Sequence, residues 1–146
     1  MRVYCKGLTR QELVDMGIYS INWDRDKQEW WVDRYWHRYG KTKEFTHTRL
    51  QTTIAIARHK YGKDKEYPKV QFGYNGKTMA IPLGRLLYVW FVEDVPDGYV
   101  VDHKDNNPFN NQINNLQMLT IEDNIRKRYE DLGTNCINQF HNTVRG

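Results

Sequence analysis

Asp102 and His103 are neighbours, and Asn124 follows further along the same stretch of chain. Hydrolysis of a phosphodiester needs a base that takes a proton from water. It also needs a cation to neutralise charge on the phosphorus oxygens and on the departing oxygen. These residue types can supply both. Asp102 offers a hard carboxylate oxygen and Asn124 an amide oxygen. Such ligands suit Mg²⁺, which keeps several waters and binds through few protein groups plus phosphate.

The elements that must position these groups are legible around them. Tyr99 to Val101 is expected to be a short strand ending in Asp102-His103, after a turn at Pro96-Asp97-Gly98. An Asn-rich loop runs from Asp105 to Asn115, and Leu116 to Leu119 is a second short strand. Thr120 can cap a helix reaching Leu132, with Asp123 at its third position and Gly133 as terminator. Asn124 then falls in the first helical turn, where the dipole and free backbone N–H groups favour a phosphate. Alternation on a strand sends neighbouring side chains to opposite faces, so the strand is expected to end or twist at His103.

Upstream, Thr9-Arg10-Gln11-Glu12 is a capping box flanked by Leu8 and Leu13, which predicts a short helix to about Met16, stopped by Gly17. Ile18 to Trp23 and Gln28 to Arg38 read as a β-hairpin about a turn at Asp24 to Lys27, and a third strand includes Lys43 to His47. Leu50, Ile54, Ala57 and Tyr61 recur at helical spacing before Gly62. The polar stretch Gly62 to Pro68 reads as a linker. Asn75-Gly76 predicts a hairpin between Lys69 to Tyr74 and Lys77 to Ile81. Pro82 opens a helix whose Leu83, Leu86, Leu87, Trp90 and Phe91 make a core stripe.

Across Gly98 to Arg128, GYVVDHKDNNPFNNQINNLQMLTIEDNIRKR, the chain resembles the HNH endonucleases, specifically the phage and intron-encoded homing subgroup. The family's Asp-His pair matches Asp102 and His103. Its middle Asn matches Asn115, twelve residues after His103, and its last His or Asn matches Asn124, nine residues later. The likeness extends more loosely back over Lys69 to Phe91. It implies that His103 is the general base, and that Asp102 and Asn124 hold one Mg²⁺ or Mn²⁺ ion. It further implies that Asn115 supports the site by tying the loop, and that products carry 5′-phosphate and 3′-hydroxyl ends. The implied fold is α+β: a ββα-metal (HNH, His-Me finger) catalytic module at residues 67–146, preceded by a small antiparallel sheet plus helix segment at 1–66. Three departures stand out. Gly84-Arg85 replaces a His-Arg common in relatives, Asn106 replaces a loop Gly, and Met118 replaces a Trp in the second strand.

The partner implied is double-stranded DNA. With 22 Lys and Arg against 18 Asp and Glu, the net charge of +4 suits a polyanion without requiring one. Candidate DNA contacts are Arg25, Arg34, Arg38, Arg85, Arg126, Lys127 and Arg128. Trp23, Trp30, Trp31 and Trp36 could present a sheet face to a groove or form the core between sheet and helix. Ser20 to Gly62 also resembles the three-stranded sheet and helix of plant ethylene-response-factor type DNA-binding domains. Arg126, Lys127 and Arg128 could clamp phosphates or form a solvated face. A second reading is a non-catalytic DNA-binding regulator that keeps the HNH scaffold.

Cys5 and Cys136 form no CxxC pair and read as reduced thiols. His37, His47, His59 and His141 lack partners at metal-ligand spacing. Met1 to Gly7 has no secretory pattern, and the apolar run Ile81 to Val92 is broken by Arg85 and too short to span a bilayer. A cytoplasmic protein in a phage- or bacterium-type host is expected, without a membrane partner. The oligomeric state, monomer or homodimer, is left open.

Overall fold

Thr9 starts the first helix as its side chain and that of Glu12 cap each other's backbone. The Thr9 N–H donates to Glu12 Oε1 at 3.1 Å, and the Glu12 N–H to Thr9 Oγ1 at 3.1 Å. In the computed structural model, which describes residues 6–37, 45–52, 54–59 and 62–132, this helix is α1 (Arg10–Asp15). Leu8 and Leu13, the expected staple, are both buried, and Gly17 ends the element at φ 97°. The hairpin follows as β1 (Ile18–Asp24) and β2 (Glu29–His37). Asp24 Oδ1 accepts from the backbone N–H groups of Asp26 and Lys27 and so closes the turn.

β3 (Phe45–Thr52) pairs antiparallel with the other edge of β2, giving a three-stranded sheet in the order β1-β2-β3. The third strand is longer than expected, and the helix expected through Leu50, Ile54 and Ala57 does not form. Instead β4 (Ile54–His59) pairs with β5 (Gly62–Tyr74), so the described residues of this stretch do not form the helix of the second resemblance. Thr52, Ile54 and Ile56 are stiff at χ1, and their β preference outweighs a helical spacing that rests on few positions.

The expected linker at Gly62 to Pro68 is likewise corrected, for it is the first half of β5. Tyr67 pairs with Ala57, and Pro68 with Ile56. Pro68 is tolerated because β6 (Lys77–Pro82) pairs with β5 only from Lys69 onward, so Pro68 has a strand on one side alone. The β5–β6 hairpin turns where expected, with Asn75 at φ 51° and Gly76 at φ 74°. Arg38, Tyr61, Gly133, Cys5, Cys136 and His141 lie outside the described residues.

α2 (Leu83–Phe91) is the central element of the core. Leu83, Leu86 and Leu87 are buried as the spacing predicts, joined by Tyr88 and Val89. Phe91 is a correction: it is 47% exposed, with its ring 6.0 Å from Trp30. One apolar cluster unites α2 with Leu13, Ile18 and Val32 of the N-terminal elements and with Val70 and Phe72 of β5. It draws on residues from both sides of position 66. Trp30 packs on its edge and meets Trp23 edge-on at 5.2 Å, so these two rings serve packing.

Arg34 was expected at a DNA surface but is buried, 5% exposed. Its Nη2 donates to Met16 O at 3.1 Å and Gly73 O at 3.2 Å, and its guanidinium lies 4.4 Å over the Phe72 ring. Burial pushes its pKa below the ordinary arginine value. It joins the end of α1 to β5 and cannot reach a phosphate from there. Arg34→Ala should therefore lower unfolding free energy by roughly 2–4 kcal/mol, because two carbonyls lose a charged donor. Urea denaturation measures this, and a change below about 0.5 kcal/mol, the scale of a surface substitution, would refute a structural role.

Candidate active site

β7 (Tyr99–His103) and β8 (Leu116–Thr120) form a two-stranded antiparallel sheet, and α3 (Ile121–Leu132) packs against both. Asp102 lies opposite Gln117, and His103 opposite Leu116. β7 ends at His103, as expected, and alternation holds to that last residue. Asp102 turns toward α3, where its Oδ2 accepts from Gln117 Nε2 at 2.8 Å and pairs with Lys127 Nζ at 3.2 Å. His103 turns toward α2. Its Nε2 sits 2.7 Å from Asn111 Oδ1, and a Cβ built on Gly84 would lie 2.9 Å from that nitrogen.

The Asn-rich loop between the strands is held from within. Asn115, in a single 3₁₀ turn at Ile113–Asn115, is buried. Its Oδ1 accepts from the Asp105 N–H at 3.2 Å, while its Nδ2 donates to Asp105 Oδ1 at 2.9 Å and to Asn110 O at 2.8 Å. Its carbonyl accepts from the Lys104 N–H at 2.8 Å. This buried amide thus has its oxygen and both N–H donors engaged by residues that follow His103. Asn106 takes the left-handed backbone, φ 63°, that its replacement of a glycine implies.

α3 begins as expected, with the Asp123 N–H donating to Thr120 Oγ1 at 3.1 Å. Asn124, half-buried in the first turn, makes no side-chain hydrogen bond among the described residues. One turn later Lys127 lies on the same face. It reaches Asp102, Asp131 at 3.2 Å, the His103 carbonyl at 3.3 Å and Asn106 Oδ1. Lys127 was expected to face DNA, yet its ammonium is occupied inside the protein. Arg85 is half-buried, donates to the Lys6 carbonyl and is desolvated, which lowers its pKa, with Glu12 opposing the shift. Arg25, Arg126 and Arg128 are exposed, Arg126 beside Asp123 at 3.3 Å.

Three contributors escaped the sequence reading: Asn111, Gln117 and Asp105. Gln117 could have been found from register, since it faces Asp102 once the strands pair. Asn111 and Asp105 depend on how the loop closes, which no short motif encodes. Among the described residues no three His, Cys, Asp or Glu side chains cluster as metal ligands. The candidate ligand pair is Asp102 with Asn124, all oxygen. Asp102 has both protein partners on Oδ2, which leaves Oδ1 with none among the described residues. With the unpartnered amide of Asn124, this donor set fits a hard cation that completes its shell with water and phosphate.

Residues 85–126 match a protein-family model described as HNH endonuclease. The chain is also similar to the DNA endonuclease I-HmuI of Bacillus phage SP01, 34% identical over 89 residues, covering 56% of this chain and 51% of that protein. It thus spans about half the length of that curated relative. No solved structure matches.

Asp105 offers a direct check on the loop. The Asn110 side chain, the Asn107 N–H and the Asn115 side chain hold its carboxyl down to about 2. A depressed folded pKa means that the tie is complete above the unfolded value, near 3.9, and is lost as pH falls through about 2. NMR titration of the Asp105 carboxyl should give that low midpoint in the wild type and a higher one in Asn115→Ala. A wild-type midpoint near 4 would rule out the described network.

Proposed function

Because residues 85–126 match the HNH endonuclease family model, we propose that this chain is a divalent-metal-dependent endonuclease acting on double-stranded DNA through Asp102, His103 and Asn124. The observation that carries this reading is the divergence of Asp102 and His103 from one strand end. In-line displacement at phosphorus puts the attacking and departing oxygens on opposite sides. A base and a cation that serve those two oxygens must also stand apart. Neighbouring side chains on a strand meet that demand with no further device.

In this mechanism His103 takes the proton of a water as its oxygen bonds to phosphorus. The P–O3′ bond breaks, the departing O3′ takes a proton from solvent water, and the products carry 5′-phosphate and 3′-hydroxyl ends. Asp102 and Asn124 would hold the ion, Mg²⁺ or Mn²⁺, which when bound neutralises charge on a phosphate oxygen and on the departing O3′. Among the described residues neither the Asn124 amide nor Oδ1 of Asp102 has a partner, which supports that assignment. Asn115 keeps His103 aimed by closing the loop behind it. Strand, loop, strand and helix in this order support a ββα-metal module. Exposed Arg25, Arg126 and Arg128 are the DNA contacts favoured by position, each adding a salt-dependent increment of affinity.

The test is nicking of supercoiled plasmid by the full chain with Mg²⁺ or Mn²⁺, in parallel with His103→Ala. Wild type should convert the plasmid, and the substitution should slow it by about 10² to 10⁴. Equal rates in both would overturn the catalytic assignment. Duplex binding that is indifferent to chelator, with no cleavage, would instead support a DNA-binding regulator built on the same scaffold.

A further inference from the structure

The geometry points to Asn111 as a positioning residue that fixes the proton of neutral His103 on Nε2 and leaves Nδ1 as the basic nitrogen. The inference rests on His103 being the base. Asn111 is 4% exposed, and its amide has two neighbours. One is the Pro108 carbonyl, 3.0 Å from Nδ2, and the other is His103 Nε2, 2.7 Å from Oδ1. A carbonyl can only accept, so the atom facing Pro108 must be the NH₂ group. The atom facing His103 is then the amide oxygen, which also can only accept. Nε2 must therefore donate, and in a neutral imidazole the lone pair is left on Nδ1. Nδ1 has no hydrogen-bond partner among the described residues, and the His103 side chain is half-exposed.

Gly84 makes this pairing possible. A Cβ there would stand 2.9 Å from Asn111 Oδ1, 2.9 Å from His103 Nε2 and 3.0 Å from His103 Cε1. Any larger residue would force the pair apart. The first turn of α2 thus closes over the Nε2 edge of the ring. Nδ1 becomes the edge available to a nucleophilic water, and the Pro108–Asn111–His103 chain sets which nitrogen takes its proton.

Long-range ¹⁵N–¹H NMR on ¹⁵N-labelled, metal-free wild type tests this without reference to activity. At a pH about two units above the ordinary imidazole value, the nitrogen shifts reveal which atom carries the proton. His103 should show a single tautomer with the proton on Nε2. A proton on Nδ1, or a tautomer mixture, would overturn the inference even if the protein cuts DNA. Conversely, the expected tautomer in a chain that never cleaves would sink the nuclease reading alone. Asn111→Ala and Gly84→Ala should each give a mixed tautomer and lower kcat by about tenfold with little change in KM, less than the roughly 10² to 10⁴ lost with the general base itself. Asn111→Asp keeps an acceptor toward Nε2 and should restore the single tautomer. If Asn111→Ala retains the wild-type tautomer, Asn111 has no such role.

Discussion

The antiparallel register of β7 and β8, clasped by buried Asn115, is the constraint on which the site depends. Pairing Asp102 with Gln117 and His103 with Leu116 commits the carboxylate to one face and the imidazole to the other. A slip of one residue would exchange those faces and place Asp102 against α2 and His103 against α3. A two-stranded sheet of this length has little stability of its own. The register is therefore specified from outside the strands: by the hydrogen bonds of Asn115 across the loop, by Thr120 starting α3, and by Leu116 in the core.

Charge on the α3 side of the hairpin follows from the same register. The Asp102 side chain is only 14% exposed, and a carboxylate that far from water needs a counter-charge or donors. Gln117 and Lys127 provide them. Lys127 in turn spans Asp102, Asp131, the His103 carbonyl and Asn106, so a single ammonium holds the helix, the strand end and the loop together. That occupation explains why a lysine within a basic run, Arg126-Lys127-Arg128, turns inward while the arginines beside it stay in solvent. Helical periodicity puts position 126 opposite Asn124 and positions 127 and 128 one turn on from it, on either side, and of these two only Lys127 meets Asp102.

Local chemistry was legible in the sequence wherever one residue decides the backbone. The Thr9–Glu12 capping box, the Asn75-Gly76 turn, the Thr120 cap and the left-handed Asn106 all stand as their side chains dictate. What failed needed long-range pairing. Leu50, Ile54 and Ala57 fit a helical stripe, and Gly62 to Pro68 looked like a linker, but cross-strand partners drew both stretches into sheets. Candidate DNA contacts failed for a related reason: charge can be read from sequence, but burial cannot. Arg34 sits under Met16 and Gly73, and Lys127 sits on Asp102, whereas Arg25 at a turn tip is exposed as its neighbours imply. Asp102, His103 and Asn115 fell on one hairpin because their spacing is local. Asn111 went unnoticed because its role depends on Gly84, which reaches it from another element.

That last contact shows how the N-terminal half bears on the chemistry without touching it. A single hydrogen bond such as that between Asn111 and His103 contributes about 0.5–1.5 kcal/mol. Each buried leucine of α2 contributes about 1.5–3 kcal/mol, and Leu83, Leu86 and Leu87 are all buried. The helix is therefore anchored far more strongly than the pair it presses on. When the two compete for position, the imidazole and the amide must adjust to the helix. Ile18, Val32 and Val70 belong to the same apolar cluster as those leucines, so β1, β2 and β5 fix where Gly84 stands. The orientation of His103 is in this sense set by a core to which its own strand contributes little.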